Sequence, residues 1–299
     1  MNNIIVVGSA NTDMILKCER LPRAGETILG GEFAIAAGGK GANQAVAAAR
    51  LGAEVTFVAR LGRDWMGDQA EQNYRAAGID CAYLTRDERA ASGVALIMVD
   101  ARAENLIGVA PGANATLTPA DVARAEPAIR AADVLLAQLE IPLDTVIAAI
   151  DLARQSNARV ILNPAPAREL PSELYRDVLL TPNETEAAHL TGEDDPARAA
   201  TRLLALGARA VVMTLGARGA LLATPDESRV IEGFRVQAVD TTAAGDAFNG
   251  GLAVALARGE DLPGAVRYAC AVGALSVTRF GAQPSLPTRA QVEIFLARQ

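Results

Sequence analysis

Short apolar runs punctuate the chain at regular intervals. Ile4–Val7 ends at Gly8, and Val55–Ala59, Val134–Ala137, Val160–Leu162, Val178–Leu180 and Val211–Thr214 repeat the signature. Runs that are apolar at consecutive positions suit strands covered on both faces, as in a parallel sheet. Between them, helical spacing marks Ala42–Leu51, Asp68–Ala77, Leu143–Gln155 and Asp195–Leu206; Gly52, Gly78 and Gly207 follow three of these. Glycine just beyond a helix is its ordinary stop. Strands alternating with helices predict an α/β fold, an open and mostly parallel sheet with helices on both faces. Two regions break the rhythm. Met14–Phe33 and Ser92–Val109 carry short alternating runs broken by Gly, Pro and charge. They predict antiparallel strands set apart from the main sheet, as a small lid over about 14–33 and 92–109. No linker of domain-boundary quality appears, so residues 1–299 are expected to form a single domain.

Composition narrows the class. The chain has 299 residues, 51% hydrophobic and 21% charged, which suits a folded enzyme. It carries 28 basic against 35 acidic residues, a net charge of -7. That balance disfavours nucleic acid as a partner, and a bound polyphosphate would need local donors or a metal. Cys18, Cys81 and Cys270 are too scattered for a disulfide framework or a zinc site, which predicts a reducing cytoplasm. The N-terminus MNNIIVVGSANTD has no leader pattern, and no run approaches the ~18 apolar residues that span a bilayer. The single histidine, His189, lies in a helical stretch and reads as a partly buried structural residue.

Several polar segments carry candidate chemistry. Asp240–Gly250 reads DTTAAGDAFNG, and the apolar spacing of Phe248, Leu252, Ala255 and Leu256 is helical. Asp246 therefore sits at a helix start behind small residues. Free N–H groups there attract anions, and a carboxylate beside them can take a proton from an attacking hydroxyl; a plain helix cap explains the same pattern. Gly38–Asn43 reads GGKGAN and opens the first strong helix. It is not the phosphate-binding G-x-x-x-x-G-K-[ST] order, and it reads either as a ligand loop with Lys40 and Asn43 as donors or as a tight turn. Asn11-Thr12-Asp13 and Glu140 each follow a strand, where ligands bind in open α/β sheets. They suit sugar hydroxyls or solvated turns equally. Thr181–Glu186 (TPNETE) fits a helix start or the few protein ligands of hydrated Mg²⁺. Thr214–Gly219 is a strand followed by a glycine turn.

Two of these runs together carry a resemblance. GGKGANQAVAAARLG at Gly38–Gly52 and DTTAAGDAFNGGL at Asp240–Leu252 stand in this order about 200 residues apart, a specific pairing. The chain resembles the ribokinase-like (PfkB-type) carbohydrate kinases nearly end to end. GSANTD, LNPAPAREL, TPNETEA and GAQPS resemble its ribose-phosphorylating branch. The resemblance implies a three-layer α/β/α sandwich with a β lid that pairs across a homodimer, and transfer from ATP to O5 of D-ribose. It assigns Asp246 as the base and Ala243, Ala244 and Gly245 as the anion hole. Asn11, Thr12, Asp13, Gly39, Lys40, Gly41, Ala42, Asn43 and Glu140, with Asp246, would surround the sugar. Asn183, Thr214, Leu215, Gly216, Ala217, Arg218, Gly219, Gly245 and Cys270 would meet ATP. Glu186 would act on Mg²⁺ through water. An activating K⁺ would take oxygens from Asp240, Thr242, Ser276, Arg279, Gly281 and Ser285, several of them carbonyls, and order the anion-hole loop. Ala243 stands where many relatives have Gly, and Cys270 where His or Asn occur. The rival expectations are a kinase for another sugar or nucleoside of the group, and a non-catalytic sugar sensor.

Overall fold

The computed structural model describes residues 2–102 and 104–299. The chain enters a nine-stranded sheet with β1 (Asn3–Val7) and leaves it at once for the lid strands β2 (Asn11–Lys17) and β3 (Glu32–Gly38). It returns through the Lys40–Arg50 helix to β4 (Glu54–Gly62) and β5 (Leu84–Asp87). A second excursion adds β6 (Gly93–Val99) and β7 (Asn105–Ala110) to the lid. The remaining strands are β8 (Val134–Ala137), β9 (Arg159–Leu162), β10 (Leu179–Leu180), β11 (Ala210–Thr214), β12 (Gly219–Ala223) and β13 (Ser228–Glu232). The order in space is β13-β12-β11-β10-β9-β8-β1-β4-β5.

The expected strands and helices are all present, with ends that differ by a few residues. Both faces are covered, and the period of two sorts each strand between them. Ile4, Val6, Val134 and Leu136 join the core beneath the Lys40–Arg50, Ala244–Ala257 and Leu262–Ser276 helices. Ile5, Val7, Leu135 and Ala137 face the opposite core. This is why the strands read as continuous apolar runs. The edge pair β12–β13 is antiparallel and went unread, because SRVIE at β13 is largely exposed and has no apolar run. The segment Phe234–Val239 joins no strand; Phe234 packs edge-on against Phe295 at 5.3 Å.

The lid holds four strands in the order β3-β2-β6-β7. Its outer ladders are antiparallel, as expected, but β2 and β6 run parallel. A parallel pair needs a long crossover, here supplied by β3, two helices and the main-sheet strands β4 and β5. The outer lid face leaves Phe33, Ile35, Leu96 and Leu106 more than half exposed, and Ile107 and Val109 are as exposed on the face that carries Asp13. No helix among the described residues is long and apolar enough to cross a membrane.

Strand β1 adjoins β4 on one side and β8 on the other. The chain order reverses there, so the crevice beyond the carboxyl ends of β1 and β8 is the place where open α/β sheets bind ligands. Two helices meet beneath it. A Cβ at Gly250 would lie 2.6 Å from the Ala47 side chain, so the Lys40–Arg50 and Ala244–Ala257 helices approach as closely as glycine permits. Gly250→Val should lower the unfolding free energy by about 1–3 kcal/mol through overpacking, measured as a fall in the urea midpoint with an unchanged slope.

Candidate active site

Asp246 is the third residue of the Ala244–Ala257 helix and only 7% exposed. No side chain caps this helix, and the N–H groups of Gly245 and Asp246 have no acceptor within it. Ala243 precedes it in the left-handed region at φ 59°, a conformation that costs an L-residue roughly 1–2 kcal/mol. The strained turn aims bare N–H groups at the crevice, as an anion site requires. Burial pushes the Asp246 carboxyl above its ordinary value, and Glu140 adds to the push; Lys40 and hydrogen bonds from Asn43 and Gln44 pull against it without cancelling it. Asn43 Nδ2 donates to Asp246 Oδ2 and Gln44 Nε2 to Oδ1, both at 2.9 Å.

The segments expected to hold a sugar converge on the same place. Glu140 Oε2 accepts from the Lys40 N–H at 3.0 Å and from Ser9 Oγ. Asn11 Oδ1 accepts from Asn114 Nδ2 at 2.7 Å, so the Asn11 amide nitrogen is the atom left to meet a ligand. Asp13 lies on β2 of the lid. Burial, Glu140 and Asp246 raise its carboxyl to about 6, and no hydrogen bond from the protein offsets them. Burial works against the Lys40 charge, yet Asp246, Glu140 and Glu186 outweigh it and hold the ammonium above its ordinary pKa. Three carboxylates thus act on one lysine.

The glycines of this loop serve the protein's own packing as much as any ligand. Gly39 is at φ 87°, and a Cβ at Gly41 would lie 2.5 Å from the Ser9 N. The turn after β1 can cross the helix start only because both lack side chains. Two residues expected around the sugar have their N–H groups bonded within the protein. The Gly41 N–H goes to Ser9 Oγ at 3.3 Å and the Ala42 N–H to Ser9 O at 2.8 Å, so both support the turn. Thr12 is buried on β2.

A cavity of about 580 Å³ opens beside the helix start. Thr214, Gly216, Ala217, Gly219, Gly245 and Cys270, all expected at the nucleotide, line it together with Phe234, Val236, Phe248 and Val277. Leu215 does not: it is buried, and its N–H bonds Gly219 O at 2.8 Å. Arg218 turns away to pair with Glu184. A second, polar pocket of about 190 Å³ holds Lys40, Asn183, Glu186 and Asp246. The two share Thr214, Thr241, Ala244 and Gly245 as walls. Asn183 and Glu186 form a reciprocal capping box at the start of the Glu184–Thr191 helix, so the cap and the ligand readings of that segment hold together. Burial raises the Glu186 carboxyl despite its bond from the Asn183 N–H and the nearby Lys40. His189 is exposed, not partly buried as expected; it lies in the last turn of that helix.

The residues expected around a monovalent cation form one loop cluster. Asp240 Oδ1 accepts from the Thr242 N–H and Oγ1, and Oδ2 from the Gly281 N–H at 2.8 Å. Burial alone would raise this carboxyl, but those donors hold it below the usual range. Ser276 and Ser285 are buried and donate to Gly273 O and Ala282 O. Arg279 is exposed, so its carbonyl is the atom suited to a cation.

Sequence reading missed the buried polar groups behind the site: Ser9, Gln44, Asn114, Gln138, Asn163 and Asn249. Gln44 stands inside the glycine-rich run and Asn249 inside the second, so their place was marked although their partners were not.

Residues 1–289 match the model of the pfkB family carbohydrate kinases. The ribokinase of Haemophilus influenzae is 43% identical over 299 residues, 98% of each chain. The crystal structure of ribokinase from Thermotoga maritima superposes with a TM-score of 0.91 at 40% identity, covering 99% of both chains. The Arabidopsis thaliana ribokinase complexed with ribose and ATP gives 0.92 at 33% identity over 98% of both. This chain therefore belongs to the pfkB family of carbohydrate kinases.

Proposed function

We propose that this protein transfers the γ-phosphoryl group of ATP to O5 of D-ribose, giving ADP and D-ribose 5-phosphate. The observation that carries the reading is the junction of the apolar cavity and the polar pocket at Ala244 and Gly245, with Asp246 beyond it. The first suits an adenine nucleotide, and the second suits a sugar hydroxyl meeting its terminal phosphate. Asp246 takes the O5 proton as the O5–phosphorus bond forms and the bond to ADP breaks. The N–H groups of Gly245 and Asp246, with Lys40, receive the charge that gathers on the transferring oxygens. Asn11, Asp13, Asn43 and Glu140 hold the sugar hydroxyls and fix O5 in line. A sensor would have no use for a buried carboxylate beside the anion site.

Among the described residues no cluster of three His, Cys, Asp or Glu forms a metal cage. That suits Mg²⁺, which keeps its waters and leans on phosphate; Glu186 and Asn183 would hold it, and when bound it neutralises phosphate charge. The ionised Asp240 and the carbonyls around Gly281 suit K⁺, which would add fixed positive charge beside the anion hole. We read the exposed apolar lid face as a homodimer interface, since a lid edge covered by a second copy resolves the liability of open strands. Free Cys18, Cys81 and Cys270 fit work in a reducing cytoplasm.

ADP release should be fastest with D-ribose among D-ribose, 2-deoxyribose, fructose, ketodeoxygluconate and adenosine, and K⁺ should raise it. Asp246→Asn should fold and lose at least ~100-fold in kcat. Fastest release with another sugar would discard the sugar assignments, and an unimpaired Asp246→Asn would discard the base.

Asp13 ties binding to stability. Its folded pKa is raised, so the folded state gains from its protonation below the unfolded value, and that gain is lost as pH rises through about 6. Asp13→Asn should therefore melt above wild type at pH 7.5, with the difference vanishing near pH 4, while its ribose affinity falls and its ATP affinity holds. Thermal melts and calorimetric titrations across pH check both halves.

Leu96→Asp should halve the mass seen by light scattering without changing the far-ultraviolet dichroism. A mass equal to wild type would remove the lid as the dimer contact.

A further inference from the structure

Behind Asp246 lies a chain of buried side-chain amides. Gln138 Nε2 donates to Gln44 Oε1. Gln44 Nε2 donates to Asn163 Oδ1 at 3.2 Å and to Asp246 Oδ1 at 2.9 Å. Asn163 Nδ2 donates to the Thr181 carbonyl at 2.9 Å. The exposures of Gln44, Gln138, Asn163 and Thr181 are 0%, 0%, 6% and 2%, so Gln44 and Gln138 depend on protein partners alone.

The order of donors follows from one fixed end. A backbone carbonyl only accepts. The Asn163 atom that faces Thr181 O is therefore nitrogen, and its oxygen faces Gln44. The Gln44 atom that meets this oxygen must in turn be nitrogen. The same nitrogen faces Asp246. A flipped Gln44 would set oxygen against two acceptors at once. Thr181 also donates through Oγ1 to Asn249 Oδ1 at 2.6 Å, and Asn249 Nδ2 donates to Gly245 O at 2.8 Å. Base and anion-hole turn thus hang on one residue at the end of β10.

We propose that Gln44 is a positioning residue, oriented by Asn163 and Gln138 to keep an N–H donor on Asp246, so that the base stays ionised and aimed at the sugar. The proposal rests on Asp246 being the base. Gln44 cannot touch the substrate itself, since it is wholly buried behind the carboxylate. A donor to the ionised form favours that form. The other charged groups facing Asp246 are Lys40 from the same helix, Glu140 beyond β8, Asp13 from the lid and Glu186 from the Glu184–Thr191 helix. Three of these four groups carry Asp246's own sign, which leaves the amides and Lys40 as its support.

The test is the pH dependence of kcat at saturating D-ribose, MgATP and K⁺ for wild type, Gln44→Met, Gln44→Glu and Asp246→Asn, each checked by thermal melting. Activity falls on the acid side as the base protonates. Removing a donor raises the pKa of the base, so the acid limb of Gln44→Met should move up by about one pH unit, with kcat at the plateau lowered about 10-fold or more. Gln44→Glu keeps the side chain's size and sets a like charge on Asp246, so its limb should move further up. If Gln44→Met does not fold, Gln44→Glu alone decides the matter. An acid limb at the wild-type position in the folded variants, with or without lower turnover, overturns the proposal and leaves Gln44 as packing. Retained turnover in Asp246→Asn would instead overturn the base itself, which separates the two failures.

Discussion

The arrangement turns on Asp246, a nearly buried carboxylate that lines the polar pocket and is held among donors. Burying an isolated carboxylate is costly, and such groups normally take up a proton instead. Here the neighbours include further carboxylates, so the cost is steeper than burial alone. Lys40 and the amides of Asn43 and Gln44 oppose it. All three come from the first turns of one helix, Lys40–Arg50. That helix packs against the Ala244–Ala257 helix so closely that glycine is needed at the contact. The tight crossing of two helices and the donor set around one side chain are the same constraint seen at two scales.

Topology then brings the other parts to the same point. Strands β1 and β8 are neighbours that lead to opposite halves of the sheet. The turn after one supplies Ser9 and Asn11, and the turn after the other supplies Glu140. The lid grows directly out of the first turn, so Asp13 rides on a lid strand while Asp246 stands on the sheet's own helix layer. A lid strand and a helix of the main layer thus meet across the sugar side of the crevice. On the far side, the apolar cavity is built from the edge hairpin and the segment after it, where Phe234 and Val236 replace a strand with a wall.

The site concentrates features that a purely structural region would avoid. Ala243 occupies the left-handed region, Asp13 is held with its carboxyl raised and no donor from the protein, and the helix start is left without a cap. Strain and unsatisfied donors of this kind persist only where the surrounding structure over-determines them. The core on both faces of the sheet supplies that surrounding.

The layered α/β class was legible from the chain alone, because strands covered on both faces must be apolar at consecutive positions, and Ile4–Val7 and Val134–Ala137 show it without any partner in view. The two glycine-rich runs were legible too, since glycine next to Lys40 or Asp246 marks backbone that must be approached closely. The antiparallel edge strand Ser228–Glu232 was not, because an exposed strand carries no apolar run. Nor was the parallel pairing inside the lid, which depends on where a long crossover returns. The amide relay from Gln138 through Gln44 and Asn163 to Thr181 was hidden for a deeper reason. Each member is an ordinary polar residue in its local segment, and its role comes from partners about a hundred residues away that only the closed sheet brings within hydrogen-bond reach. Local pattern determined which elements form and where the backbone must be bare; the tertiary structure decided which buried donor faces the carboxylate, because that direction is set by contacts no local pattern records.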